Sequence, residues 1–184
     1  MLLDQMQVYC DTLPTERARE HLVYMKTTYL IETGDWDNHI QNIQIDLSDL
    51  NISTRTMYYF IDGMKAYRNH DANALASVIH QVTGERLIAQ QQVTGDAVGV
   101  CGSVNGNIPN LLDVQQAEVM ELELRALQSW LVNDTLATDS FFLKATALEN
   151  RVSYSFGPPV IIKPSNEMYG EWLLEINRPQ DALS

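Results

Sequence analysis

The chain has 184 residues, with 24 acidic against 12 basic side chains and a formal net charge of -12. With 45% hydrophobic residues it can bury a continuous core, which excludes the disordered class. No apolar run reaches the length of a membrane span. An acidic surface repels phosphate backbones, so nucleic acid is excluded as a partner, and a basic protein or peptide is the better electrostatic match.

Helical periodicity dominates from the start, and no segment sustains an alternation of period two. The opening stretch 1–11 reads as the return helix of a preceding pair, with Leu2, Leu3, Met6 and Val8 awaiting cover. It has neither a basic region nor an apolar segment of the kind a signal peptide carries, and the sequence assigns no compartment. Thr15 to Thr33 form the first strong helix, with Leu22, Tyr29 and Leu30 at helical spacing, Pro14 ahead of it and Thr12 as the expected cap. Gly34 ends this helix in a left-handed conformation. Asp35 is then expected to cap a second helix through Trp36, Ile40 and Ile43, so the first pair spans about 15–45.

A second pair is expected at about 53–92. Ser53 or Thr54 caps a helix through Met57, Phe60, Met64 and Tyr67, and Asn69-His70-Asp71 turns into Ala72 to Gln92. Gly84 falls inside that return helix as a candidate break, because glycine there costs about 1 kcal/mol against alanine. Residues 93–112 carry Gly95, Gly99, Gly102, Gly106 and Pro109 without an amphipathic period and read as one long loop. A third pair follows at about 113–152, with Val119, Leu122, Ala126, Leu127 and Trp130 on one side, a turn at Asn133-Asp134, and a return through Ala137, Phe141, Phe142, Ala145 and Leu148. A fourth opens at 165 and runs to 184.

In that last stretch Gly170 and Ala182 stand twelve positions apart, each the small residue inside a helix. The spacing resembles a tetratricopeptide repeat, in which small side chains let antiparallel helices approach closely. Glu32-Thr33-Gly34-Asp35-Trp36, Ile45-Asp46-Leu47-Ser48 and the run from Gly157-Pro158-Pro159 to Ala182 together resemble a family of uncharacterised bacterial repeat proteins. The resemblance implies one all-α domain, a right-handed α-α superhelix of antiparallel helix pairs with roughly eight helices. It also implies that the first helix of each pair lines a concave, partner-binding face. Carried over residue by residue, that face takes His21, Tyr24 and Thr28 from the first unit. Met57, Phe60, Met64 and Tyr67 come from the second, Glu123 and Trp130 from the third, and Glu167 and Glu171 from the fourth. Aromatic and methionine side chains beside carboxylates suit a peptide with apolar and basic groups. The i, i+3, i+7, i+10 spacing of Met57, Phe60, Met64 and Tyr67 is equally that of a plain buried helix face.

Catalytic chemistry finds little support. His21, His39, His70 and His80 lack the spacing of a zinc helix motif, so neither a metal nor a cofactor is expected. Gly95-Asp96-Ala97-Val98-Gly99 has no following lysine and no preceding strand, which removes a phosphate-loop reading. Cys101 in Cys101-Gly102-Ser103 lacks a placed base, and with Cys10 it reads as a free thiol. Glu118, Glu121 and Glu123 on one helix, and Glu167, Glu171 and Glu175 on another, read as solvated faces. The leading functional expectation is a noncatalytic scaffold binding a protein or peptide. The competitor is an enzyme or accessory domain with a small-molecule site at the 93–113 loop, and a third reading has the repeats only packing on the rest of a larger chain. The chain is expected to be a piece of a longer solenoid, with Trp172, Leu173 and Ile176 left uncovered and self-association through uncapped ends.

Overall fold

Side-chain caps mark the start of most of the longer helices. The computed structural model describes residues 2–95, 108–152 and 159–182, and among these residues there are eight α-helices and no strand. They are α1 (Leu2–Thr12), α2 (Glu16–Thr33), α3 (Ile52–Arg68), α4 (Ala72–Thr94), α5 (Leu111–Leu131), α6 (Thr135–Glu149), α7 (Ser165–Glu175) and α8 (Pro179–Ala182). The all-α expectation holds. Its caps sit slightly elsewhere than expected. The Thr15 hydroxyl, not Thr12, accepts the Ala18 N–H at the start of α2, while the Thr12 hydroxyl closes α1 by donating to the Val8 carbonyl. Asn51, not Ser53 or Thr54, caps α3 through the Ser53 N–H. Asn110 and Asp113 form a reciprocal capping box on α5.

Three connections share one geometry. His70, Asn133 and Asn177 adopt φ of 55°, 57° and 58°, and the next residue donates its N–H to the carbonyl five positions back. The pairs are Asp71 to Ala66, Asp134 to Ser129 and Arg178 to Leu173, at 2.9, 3.0 and 2.8 Å. Histidine and asparagine tolerate the left-handed region better than most residues, and the bond satisfies a carbonyl that the helix end leaves open. In the first two turns the following aspartate caps the next helix, accepting from Ala74 and Ala137 respectively. Each turn reverses the chain within three residues.

The expected second helix through Trp36, Ile40 and Ile43 does not form. Only one 3-10 turn, His39–Asn42, interrupts an otherwise irregular segment. Long side chains from the flanking helices bond its backbone in place of a helical ladder. Lys26 Nζ and the Tyr58 hydroxyl both donate to the Ile43 carbonyl, at 2.8 and 3.2 Å, and Arg19 donates to the Asp46 carbonyl at 2.8 Å. Buried backbone must be paired, and here side chains do the pairing. Ile40 and Ile43 still reach the core.

Contacts at matching depths set the direction of the first helices. Arg19 near the start of α2 meets Asp49 just ahead of α3, and Trp36 beyond the end of α2 lies under Arg68 at the end of α3. Gly63 faces Leu124, and one turn further on Tyr67 meets Trp130. Thus α2, α3 and α5 run parallel, and α4 returns between the last two. Helix α5 packs against α3, α4, α6 and α7 and keeps only Leu111 fully exposed. The core includes Leu22, Leu30, Phe60, Leu75, Met120, Leu124 and Phe142, all essentially inaccessible.

Two packing expectations are corrected. Gly170 is no close-approach point among the described residues, where a Cβ would meet nothing within 4 Å; the close approach is at Gly63, where a Cβ would stand 2.5 Å from Leu124 Cδ2. Trp172 and Leu173 are not left bare, because Phe142, Tyr169 and the surrounding core cover them to 1% exposure each. Gly84 does not break α4, which passes through it without interruption. At the other end, α1 packs on α2 through Leu3 and Cys10, while Leu2 and Val8 stay exposed.

Candidate functional site

Because α2, α3 and α5 run parallel, their carboxy-terminal ends share one rim of the molecule. Trp36, Tyr67 and Trp130 sit there. The Tyr67 and Trp130 rings lie with centroids 5.5 Å apart at 42°, both partly buried and partly open. Arg68 covers the Trp36 ring, with its guanidinium 5.5 Å from the centroid. Helix α7 brings its carboxylates to the same place. Burial, then the charges of Glu175 and Glu171, push the Tyr67 hydroxyl up to about 12. Those two carboxylates therefore lie within electrostatic reach of the Tyr67 hydroxyl. Lys163 ties Glu171 at 2.8 Å and Glu167 at 3.5 Å, which sets the outer face of α7.

Helix ends carry partial negative charge, worth about 0.3–1 kcal/mol to a cation in the last turn. On α3 that position is filled by Lys65 and Arg68. No basic residue lies in the last turn of α2, α5 or α7. Partly exposed aromatic rings, exposed carboxylates and helix ends without a basic last turn are chemistry that a cationic group can meet.

The structure divides the expected groove residues. Tyr67, Trp130 and Glu171 come together, with Met64 part-buried one turn below Tyr67 and Glu167 exposed beside Lys163. His21 is exposed on α2, and Tyr24 and Thr28 are partly covered, away from the aromatic pair. Met57 and Phe60 belong to the core at 3% and 0% exposure, because α3 is flanked by α2, α4 and α5. Glu123 is also inside, at 0% exposure. The expected solvated face of Glu118, Glu121 and Glu123 is thus corrected. Glu121 is buried between α4 and α5, and Arg86 and Arg125 hold it at 2.7 and 2.8 Å. Burial opposes its charge, but the two arginines outweigh burial and hold the carboxyl low.

Glu175 and Trp36 also lie at the rim, and periodicity does not assign them to it. Only Glu175 had a signal, as the third member of the Glu167, Glu171, Glu175 stripe. Gly95 ends α4 with φ of 76°, and the loop core with Cys101 lies outside the described residues. Among the described residues no cluster of three His, Cys, Asp or Glu side chains could hold a metal ion. No helix there is long and apolar enough to cross a membrane. Comparison with family models, curated proteins and solved structures gave no match.

Proposed function

We propose that the chain is a noncatalytic protein-binding scaffold, a tetratricopeptide-like right-handed superhelix that takes a basic segment of a partner at the α3–α5–α7 rim. The observation that carries the reading is the convergence of the Tyr67–Trp130 ring pair with Glu171 and Glu175. The parallel first helices and the repeated turn geometry support the repeat part of it. A lysine or arginine of the partner would lie against the rings with its charge toward the carboxylates, while its apolar neighbours use Met64. Aromatic anchors in such sites commonly contribute about 2 kcal/mol or more, and each exposed charge pair about 0.2–1 kcal/mol.

The test uses a lysine- and arginine-rich peptide and its glutamine-substituted counterpart, titrated against the full chain at low and high salt. The basic peptide should bind, weaken with salt, and lose affinity on Trp130→Ala and on the double change Glu171→Gln with Glu175→Gln. Equal binding of both peptides, or binding that survives all three substitutions, would sink the reading.

A further inference from the structure

Helix α7 begins without a cap of its own. Pro164 occupies the cap position and supplies no side-chain hydrogen bond. Two carboxyl groups from other helices take that place. The Ser165 N–H donates to Glu149 Oε2 at the end of α6, at 2.7 Å, and the Ser165 hydroxyl donates to Glu123 Oε1 in the middle of α5, at 2.6 Å. Ser165 and Glu123 are both at 0% exposure. Glu123 Oε2 has no hydrogen-bond partner among the described residues. An ionised carboxylate with an unpartnered oxygen at a fully buried position is costlier than the neutral acid.

Among the described residues, few groups face Glu123. The Ser165 hydrogen bond favours its charge, Glu149 approaching from α6 disfavours it, and Lys163, just ahead of α7, favours it more weakly. Glu121 on the same helix turns to Arg86 and Arg125 instead. Burial is the largest influence, and the Glu123 carboxyl stands well above its ordinary value.

We propose that the α7–α8 pair is held on the bundle by a proton-carrying clasp, Glu123–Ser165–Glu149, whose deprotonation at Glu123 loosens the pair. The proton leaves to solvent, and two carboxylates then face each other across Ser165. Because α7 carries Glu171 and Glu175, the clasp also governs assembly of the cation-binding rim; that consequence rests on the function proposed above, whereas the clasp itself does not.

Amide hydrogen exchange of the free full-length chain, followed by mass spectrometry from pH 5 to 8.5, tests the clasp without any ligand. Each pH is compared between the native chain and Glu123→Gln, so the intrinsic exchange chemistry cancels. In the native chain, opening of 165–182 should rise with pH by up to about tenfold per unit, the limit for one proton. In Glu123→Gln that rise should vanish, while 52–68 behaves alike in both. Glu149→Gln, which removes the opposing charge and leaves Glu123 in place, should move the rise to lower pH; it decides the matter if Glu123→Gln does not fold. Parallel pH dependence in the native chain and Glu123→Gln, an unmoved rise in Glu149→Gln, or equal loosening of 52–68 overturns the clasp. Failure of the basic peptide to bind overturns only the proposed function.

Discussion

Gly63 offers the sharpest check on how the helices pack. It lies on α3 against α5, and a Cβ at this position would stand 2.5, 3.2 and 3.4 Å from Cδ2, Cδ1 and Cγ of Leu124. Leu124 is at 0% exposure, so its isobutyl group has no open space to retreat into. Overpacking of this kind costs about 1–3 kcal/mol. Alanine in a helix recovers about 1 kcal/mol of backbone preference over glycine. The net loss for Gly63→Ala is therefore about 1 kcal/mol, which lowers Tm by about 2–4 °C in a chain of this size. Urea and thermal unfolding of Gly63→Ala, Leu124→Ala and the double variant form a cycle. Removing the Leu124 methyls should relieve the clash, giving a favourable coupling of about 0.5–3 kcal/mol. A single variant as stable as the native chain, or a cycle that is simply additive, would refute the close approach of α3 and α5.

The other glycines should behave oppositely. Gly84→Ala and Gly170→Ala place a methyl where none of the described residues lies within 4 Å, so each should stabilise by up to about 1 kcal/mol in the same unfolding assay. Asp134→Ala removes the cap on α6 and should cost about 1 kcal/mol, whereas Asn133→Gly should be neutral or slightly stabilising because glycine accepts the left-handed φ. Lys26 is almost wholly buried, and burial brings its amine down to about 8 from 10.5. With a depressed folded value the unfolded chain binds the extra proton between those limits, so stability should rise with pH from about 8 to 10.5, by on the order of 3 kcal/mol. Lys26→Met should remove that rise when native and variant unfolding are compared at each pH, which cancels the tyrosines.

Helix content and the reversing turns were legible because both are local. The 3.6-residue pattern shows that a segment has one apolar face. The His70-Asp71 and Asn133-Asp134 pairs join a residue that tolerates positive φ to one that caps the following helix. Tyr67, Trp130 and Glu171 were legible as groove candidates for a similar reason, since each lies on a first helix of the expected pairs. Met57 and Phe60 were not separable from them, because the same spacing describes a core face and an open one.

Local patterns were enough to read the helices of the described residues, Gly34 as a helix end, and the points where α3 and α5 turn back. These follow from interactions within a few residues of one another. Long-range packing settled the rest. It left 36–50 largely non-helical, because Lys26, Tyr58 and Arg19 from distant turns bond its carbonyls. It placed Glu121 among arginines and Glu123 against Ser165, because α5 is covered on nearly every side. It made Gly63 rather than Gly170 the point of close approach. Periodicity tells which face of a helix seeks cover; which neighbour supplies that cover depends on contacts tens of residues apart.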